Sequence, residues 1–133
     1  MAKVVSLSEA VSIALHSMIL IGRSNGESVN ADKLAEATGS SRHHVAKVMQ
    51  RLAKDGFVGS YRGPKGGFYL LRNPKKIFLL EIYEAIEGKR VPVTCPMEKP
   101  ICAFDKCFMN NLTYDLTMQF IQYMKSHSLA NFI

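Results

Sequence analysis

The three cysteines of the chain all lie in one short segment, CPMEKPICAFDKC, which spans residues 95–107. Cys95, Cys102 and Cys107 are odd in number, so they cannot all pair as disulfides, and a tetrahedral metal site needs four ligands. Thiolates are soft ligands that suit iron–sulfur clusters and zinc, and exposed thiolates also act as redox switches. Four interpretations stay open at this point: iron–sulfur ligation, a thiol switch, zinc with one further ligand, and unreactive thiols.

A basic block precedes the cysteines. From Ser40 to Lys76 the sequence has nine Lys or Arg and one acid, Asp55, so this segment carries +8 while the whole 133-residue chain carries +6. Positive charge concentrated in a foldable region is typical of a nucleic-acid binder. The alternative is a solvated cationic surface.

Two predicted helices joined by a glycine turn lie at the start of the basic block, the first just before it and the second within it. Asn30 can cap a helix over residues 31–37, which ends at Gly39 because glycine accepts the left-handed conformation. Ser40 or Ser41 can cap a second helix. Two helices separated by about three residues have the spacing of a helix-turn-helix.

The second helix, which ends at about Asp55, separates apolar from polar side chains. Its apolar stripe has i, i+3, i+4, i+7 spacing and comprises Val45, Val48, Met49 and Leu52. The remaining positions hold donors for phosphates and base edges, namely Arg42, His43, His44, Lys47, Gln50, Arg51 and Lys54. A recognition helix needs one anchored and one hydrated face, so we expect these side chains, with Ser40 and Ser41, to contact DNA.

A glycine-rich turn between two short strands follows. Residues 57–61 and 68–71 have strand composition, and RGPKGG (62–67) has turn composition without the spacing of a P-loop. A helix-turn-helix followed by a basic hairpin is a winged helix. We expect Lys65, at the tip, to contact a phosphate.

Two further helices are predicted around the cysteine segment. Residues 75–88 form one, with its inner side at Ile77, Leu80, Tyr83 and Ile86. Residues 111–125 form a long one with a wide apolar face that includes Leu112, Leu116, Phe120 and Tyr123. An apolar face this wide exceeds what one side of a small domain can cover. We therefore expect a dimerisation helix. The alternative is a core helix within the monomer.

The predicted architecture is mainly α with a small β-hairpin. It comprises a winged helix-turn-helix DNA-binding domain (1–88), a cysteine-bearing loop (89–110), and a dimerisation helix with its tail (111–133). No run of 18 apolar residues occurs, so no membrane span is expected. The apolar stretch AVSIALHSMILIG is interrupted by His16, which favours an amphipathic first helix over a signal peptide. This helix is predicted over residues 6–23, with Ser6 and Glu9 as its capping box. We therefore expect a cytoplasmic protein, in which thiols stay reduced.

These residues resemble a known family. VMQRLAKDGFVGSYRGPKGGFYL, IFLLEIYEAIEG and the cysteine loop ending in DKC are similar to the iron–sulfur cluster regulators, the bacterial winged-helix repressors that include IscR, NsrR and CymR. The recognition helix SRHHVAKV is closer to NsrR-like members. The resemblance implies a homodimer that binds a palindromic operator and represses transcription. It also implies that an iron–sulfur cluster modulates DNA affinity in response to iron, redox status or nitric oxide.

The resemblance also implies site residues. By position, Cys95, Cys102 and Cys107 match the cluster ligands. The implied cluster is of the 2Fe–2S rather than the 4Fe–4S type, and a purified apo form would lack it. The wing residues that match, and that in relatives enter the minor groove, are Arg62, Gly63, Gly66 and Gly67.

The sequence departs from relatives at the fourth ligand. The spacing here is C-x6-C-x4-C, Asn110 stands where IscR has a histidine, and a helix-one acid of some NsrR-type proteins falls at Ser12. Glu9, Ser12 and His16 share one face of the first helix, and an imidazole binds iron well. We therefore take His16 of the second subunit as the candidate fourth ligand, with Glu9 and Ser12 ranked below it.

The alternative function is a cluster-free regulator of the same fold, controlled by a protein partner or by thiol oxidation. Anaerobic purification separates the two, because a cluster absorbs visible light. No motif of a catalytic site is found, so we do not expect an enzyme.

Overall fold

The computed structural model describes residues 5–89 and 103–133. Cys95 and Cys102 lie outside the described residues, so their role as ligands stays a prediction. The elements in chain order are α1 (Glu9–Arg23), α2 (Ala31–Thr38), α3 (Arg42–Lys54), β1 (Val58–Tyr61), β2 (Gly67–Leu70), α4 (Leu79–Glu87) and α5 (Leu112–Ser126). The predicted fold class, mainly helical with one antiparallel hairpin, is confirmed.

Helix α1 begins later than predicted. Its N-cap is Ser8, whose Oγ accepts a hydrogen bond from the backbone N–H of Val11 at 3.2 Å. Glu9 is therefore the first helical residue and cannot serve as the third residue of a box capped by Ser6, so that prediction is wrong. The side chains that α1 buries are Val11, Ile13, Ala14, Ser17, Met18 and Ile21.

The helix-turn-helix has the predicted caps. Asn30 Oδ1 accepts from the backbone N–H of Lys33 at 2.8 Å, and Gly39 ends α2 with a φ of 68°. Ser41 caps α3 by accepting from the N–H of His44 at 3.1 Å. The predicted stripe of α3 is buried, which anchors this helix in the core.

The hairpin is joined to the helix-turn-helix through its backbone. Strands β1 and β2 pair antiparallel, with Val58 opposite Leu70 and Tyr61 opposite Gly67. Phe68 also exchanges two backbone hydrogen bonds with Val29, at 2.8 and 2.9 Å. The wing is therefore fixed to the segment that leads into α2 and cannot move independently of it without breaking these bonds.

Helix α4 begins at Leu79, four residues later than predicted. Pro74–Lys76 form a 3-10 turn, and Ile77 and Phe78 are extended because their backbone pairs with the C-terminal segment. The N–H of Leu129 donates to the carbonyl of Ile77 at 2.9 Å, and the N–H of Leu79 donates to the carbonyl of His127 at 3.0 Å. Hydrophobic periodicity carries no signal for such a distant pairing.

Helix α5 contributes little to the core of the described chain. Among its side chains only Met124 is buried, and Leu112, Leu116 and Tyr123 are 50%, 44% and 52% exposed. Phe120 meets the ring of Tyr83 edge-on at 5.0 Å, which holds α5 against α4. In the described part of the chain, no helix is both long and apolar enough to cross a membrane.

Candidate nucleic-acid interface and cysteine site

Helix α3 presents a polar surface opposite its buried stripe. Ser41, Arg42, His43, Lys47, Gln50 and Arg51 are exposed, and Ser40 and His44 are half-buried. This separation follows from the sequence, because apolar residues three and four apart share one face of a helix. The structure therefore exposes most of the predicted DNA-contacting residues of α3, including Lys54.

The wing turn exposes its cationic residues. Arg62, Gly63 and Lys65 are exposed, and the N–H of Gly66 closes the turn on the carbonyl of Gly63 at 2.9 Å. A Cβ at Gly66 would lie 2.3 Å from the carbonyl oxygen of Tyr61, so only glycine fits the turn. Gly66 thus shapes the wing, whereas Arg62 and Lys65 are free to reach a ligand.

A buried glycine sets how closely the wing approaches α2. A Cβ at Gly67 would lie 2.7 Å from the carbonyl carbon of Val29. The side chain must be absent for the two backbone bonds between Val29 and Phe68 to form. Gly67 therefore sets how the wing packs, and its predicted role in DNA binding stays a prediction.

A depression of about 210 Å³ connects the wing to the helix-turn-helix. Its lining includes Asn30, Ala31, Arg42, Ser60 and Gly63. The sequence prediction did not include Asn30 and Ser60, which line this depression.

Several predicted DNA contacts also have partners within the chain. Arg42 lies 3.3 Å from Asp32, and both side chains are exposed, so this pair contributes little to stability. Arg51 donates through Nε to the carbonyl of Ala85 at 3.0 Å. His44 and Ser40 both contact the carboxylate of Glu9.

The three candidate ligands on α1 share one surface, as predicted. Glu9, Ser12 and His16 line a depression of about 230 Å³ together with the turn between α2 and α3. The Nδ1 atom of His16 lies 2.7 Å from the carbonyl oxygen of Ser12. Because that contact occupies Nδ1, Nε2 is the ring nitrogen left for a ligand outside α1.

Cys107 is exposed at the entry to α5, where the backbone favours its thiolate. Hydrogen bonds from the backbone N–H of Met109, then of Asn111 and Asn110, lower the pKa of the Cys107 thiol, and slight burial opposes them. Asn110 and Asn111 adopt positive φ values of 47° and 62°. The thiolate is the form that binds metals and reacts with oxidants, so this environment fits a metal ligand or a redox thiol.

The described residues of a single chain do not by themselves form a metal site. No group of three or more His, Cys, Asp or Glu side chains in residues 5–89 and 103–133 is close enough to hold an ion. Cys95, Cys102 and a second subunit lie outside what is described. The predicted ligand set therefore stays a prediction.

Known proteins are similar to this chain along almost its whole length. The family model Rrf2, described as an iron-dependent transcriptional regulator, matches residues 7–133. IscR of Xenorhabdus nematophila is 29% identical over 100 residues, which cover 75% of this chain but only 61% of IscR. The chain thus spans less than two thirds of that relative.

Solved structures share the fold. CymR, the global cysteine regulator of B. subtilis, has a TM-score of 0.72 at 21% identity, over 96% of this chain and 95% of CymR. IscR of T. potens has a TM-score of 0.72 at 22% identity, over 96% of this chain and 85% of IscR. The predicted nearness to NsrR-like members stays a prediction. Because the family match extends from residue 7 to residue 133, the chain belongs to the Rrf2 family, whose members are transcriptional regulators and not enzymes.

Proposed function

We propose that this chain is a cytoplasmic, DNA-binding repressor of transcription that binds a palindromic operator as a homodimer. The observation that supports it most is that a polar helix face and a cationic hairpin tip are exposed together on the described part of the chain. His43, Lys47 and Gln50 are exposed on α3, and Arg62 and Lys65 are exposed on the wing. A helix of this kind fits the major groove, and a cationic wing fits the adjacent minor groove.

The exposed apolar face of α5 supports the homodimer. Leu112, Leu116 and Tyr123 are about half exposed in the single chain, although they follow one stripe of the helix. A contiguous apolar surface of this kind is typical of an interface between subunits. Two copies related by a two-fold axis would place their recognition helices on half-sites about 34 Å apart, one turn of the duplex.

The cysteine segment supports an effector site. The thiolate-favouring environment of Cys107 fits the donor chemistry of an iron–sulfur cluster. In this proposal Cys95, Cys102 and Cys107 hold a 2Fe–2S cluster, and His16 of the partner subunit, ahead of Glu9 or Ser12, supplies the fourth ligand. When bound, the cluster would supply reversible redox chemistry and reactivity toward oxygen and nitric oxide.

A second candidate is a cluster-free regulator controlled by thiol oxidation or by a protein partner. The exposed Cys107, whose thiol pKa is lowered by backbone hydrogen bonds, also favours this candidate, because oxidants attack thiolates. The solved structure of CymR, which has the same fold, is that of a cysteine regulator.

One anaerobic experiment separates the candidates. The protein is purified without oxygen, and its visible absorption is recorded before and after reconstitution with ferrous iron and sulfide. Operator sequences are selected from a random duplex library, and their affinity is measured by fluorescence anisotropy with and without nitric oxide. A coloured protein whose affinity changes with nitric oxide supports cluster sensing, whereas a colourless one that responds only to peroxide supports thiol oxidation. A protein that selects no duplex in dilute buffer would contradict the proposed function.

A further inference from the structure

We propose that the first turn of α1 links the end of α4 to the start of the recognition helix α3. Ser8 and Glu9 are the positioning residues of this link. The inference rests on the proposed function, because it concerns how a change in the cysteine segment reaches the DNA-binding surface. It requires no contact between the cysteine segment and α3 itself.

Ser8 joins α1 to the end of α4. Its Oγ accepts from the N–H of Val11 as the N-cap of α1 and donates its proton to Oε1 of Glu87. Glu87 is the last residue of α4, and from there the chain continues through Gly88 into the segment that carries the three cysteines. In the proposed link, a change in the backbone at Gly88 would reach Glu87 first and then the cap of α1.

Glu9, the next residue, joins α1 to the start of α3. Its Oε1 accepts from Ser40 Oγ at 3.3 Å and lies 3.5 Å from Nδ1 of His44. Ser40 directly precedes the N-cap of α3, and His44 lies in the first turn of this helix. Recognition helices contact base edges mainly through their N-terminal residues, so Glu9 lies behind the part of α3 that reads DNA.

The Glu9 contacts are weak enough to change between states. The side chains of Glu9 and His44 are 65% and 35% exposed, and polar contacts between exposed side chains contribute little to the stability of a fold. Such contacts can fix the orientation of a side chain without locking the helix. Weak contacts of this kind can form in one state of the protein and break in another, as the proposed link requires.

A second contact ties α4 directly to the far end of α3. Arg51 donates through Nε to the carbonyl of Ala85, which lies in the last turn of α4. The end of α4 thus contacts the start of α3 through α1 and its later part through Arg51. The wing is bonded to the segment before α2 through Val29 and Phe68, and to the end of α3 through Arg72 and the carbonyl of Asp55. In the proposed link, a shift of α4 therefore acts on the start of α3, while the end of α3 stays bonded to the wing.

The test compares the DNA affinity of the iron-reconstituted protein with that of the iron-free protein. It does so for variants that break the link but keep the cap of α1. Ser8→Asp keeps a capping side chain but places a second carboxylate against Glu87. Ser8→Asn also caps and can still donate to Glu87, so it is the rescue variant. Glu9→Gln removes the charge opposite His44. Each protein is assayed on the selected operator, once reconstituted with ferrous iron and sulfide and once after removal of iron by a chelator.

The measured quantity is the ratio of the two affinities. Allosteric ratios are commonly about 5 to 150, and we expect Ser8→Asp and Glu9→Gln to bring the wild-type ratio at least about threefold closer to one. Ser8→Asn should keep the wild-type ratio. Asp32→Asn is the matched control, because it removes an equally exposed carboxylate that pairs with Arg42 from α2. It should change both affinities by one factor and leave their ratio intact.

Hydrogen exchange gives a second reading that does not depend on DNA. The amides of residues 40–46 should differ in protection between the two states in the wild type, and this difference should vanish in Ser8→Asp and Glu9→Gln. A wild type with equal affinities in both states contradicts the proposed regulation itself. A wild-type ratio that persists in both link variants overturns only the link. A changed visible spectrum in reconstituted Glu9→Gln would assign Glu9 to the metal and remove it from the link.

Discussion

The backbone N–H of Leu129 donates to the carbonyl oxygen of Ile77 at 2.9 Å, which fixes the end of the chain to the segment that opens α4. Leu129 is fully buried, and Arg23 reaches the same C-terminal segment through a 2.8 Å bond from Nε to the carbonyl of Phe132. The segment that follows α5 therefore packs against α1 and the start of α4. The N-terminal half of α5, by contrast, carries the exposed side chains of Leu112 and Leu116.

A charged residue in that exposed half should separate the subunits without unfolding them. We expect Leu116→Asp to convert the proposed dimer to a monomer at micromolar concentration, because an aspartate at an apolar interface is left without a partner. Sedimentation velocity measures the mass, and circular dichroism checks the fold. Gln122→Asp is the control, since it lies about 120° around the helix and is already exposed. A Leu116→Asp protein that stays dimeric would place the interface elsewhere.

The two wing cations should differ in what they contribute to DNA binding. Arg62→Ala should cost about 1–3 kcal/mol on the selected operator and relax specificity at one position, if the guanidinium enters a narrow minor groove. Lys65→Ala should weaken binding to all duplexes alike and reduce the salt dependence by about one ion. Anisotropy titrations on operator and scrambled duplexes across a salt series measure both. Equal specificity profiles for the two variants would contradict this division.

The lowered pKa of Cys107 predicts an alkylation profile for the metal-free protein. In a Cys95→Ser, Cys102→Ser variant, Cys107 is the one thiol left, and its rate of reaction with iodoacetamide follows the thiolate fraction. The backbone hydrogen bonds that lower its pKa exist only in the folded chain. The folded protein should therefore reach half its maximal rate at a lower pH than the same chain in urea. Coincident profiles would show that the turn does not favour the thiolate.

The hydroxyl of Ser17 should reduce the stability of the domain. Ser17 is fully buried in α1, and its Oγ has no hydrogen-bond partner among the residues that the structure describes. Since a buried, unpaired hydroxyl loses its hydration without compensation, Ser17→Ala should raise the free energy of unfolding by about 1 kcal/mol. Urea denaturation measures this. Ser24→Ala is the contrast, because Ser24 Oγ donates to the carbonyl of Ile21 and its loss should destabilise.

The sequence predicted the elements whose signals are local. The caps at Asn30 and Ser41, the left-handed Gly39 and the buried stripe of α3 all depend on neighbours within a few residues, and all are confirmed. The fold class followed from these elements and from the hairpin.

Features that depend on distant parts of the chain were missed. Ile77 and Phe78 are extended because they pair with Ser128 and Leu129, about fifty residues further on, and no local pattern records that pairing. The contacts of Glu9 with Ser40 and His44 likewise arise only when α1 packs against α3. The candidate ligands on α1 were correctly placed on one face, but their neighbours across the depression could not be foreseen.

The bonds between Val29 and Phe68 have a consequence for the operator. They fix the hairpin to the segment that leads into α2 before any nucleic acid arrives, so little conformational entropy is lost at this contact on binding. The duplex must then supply the adjustment of groove width and bend. Base steps that deform easily should therefore be favoured at positions that no side chain touches.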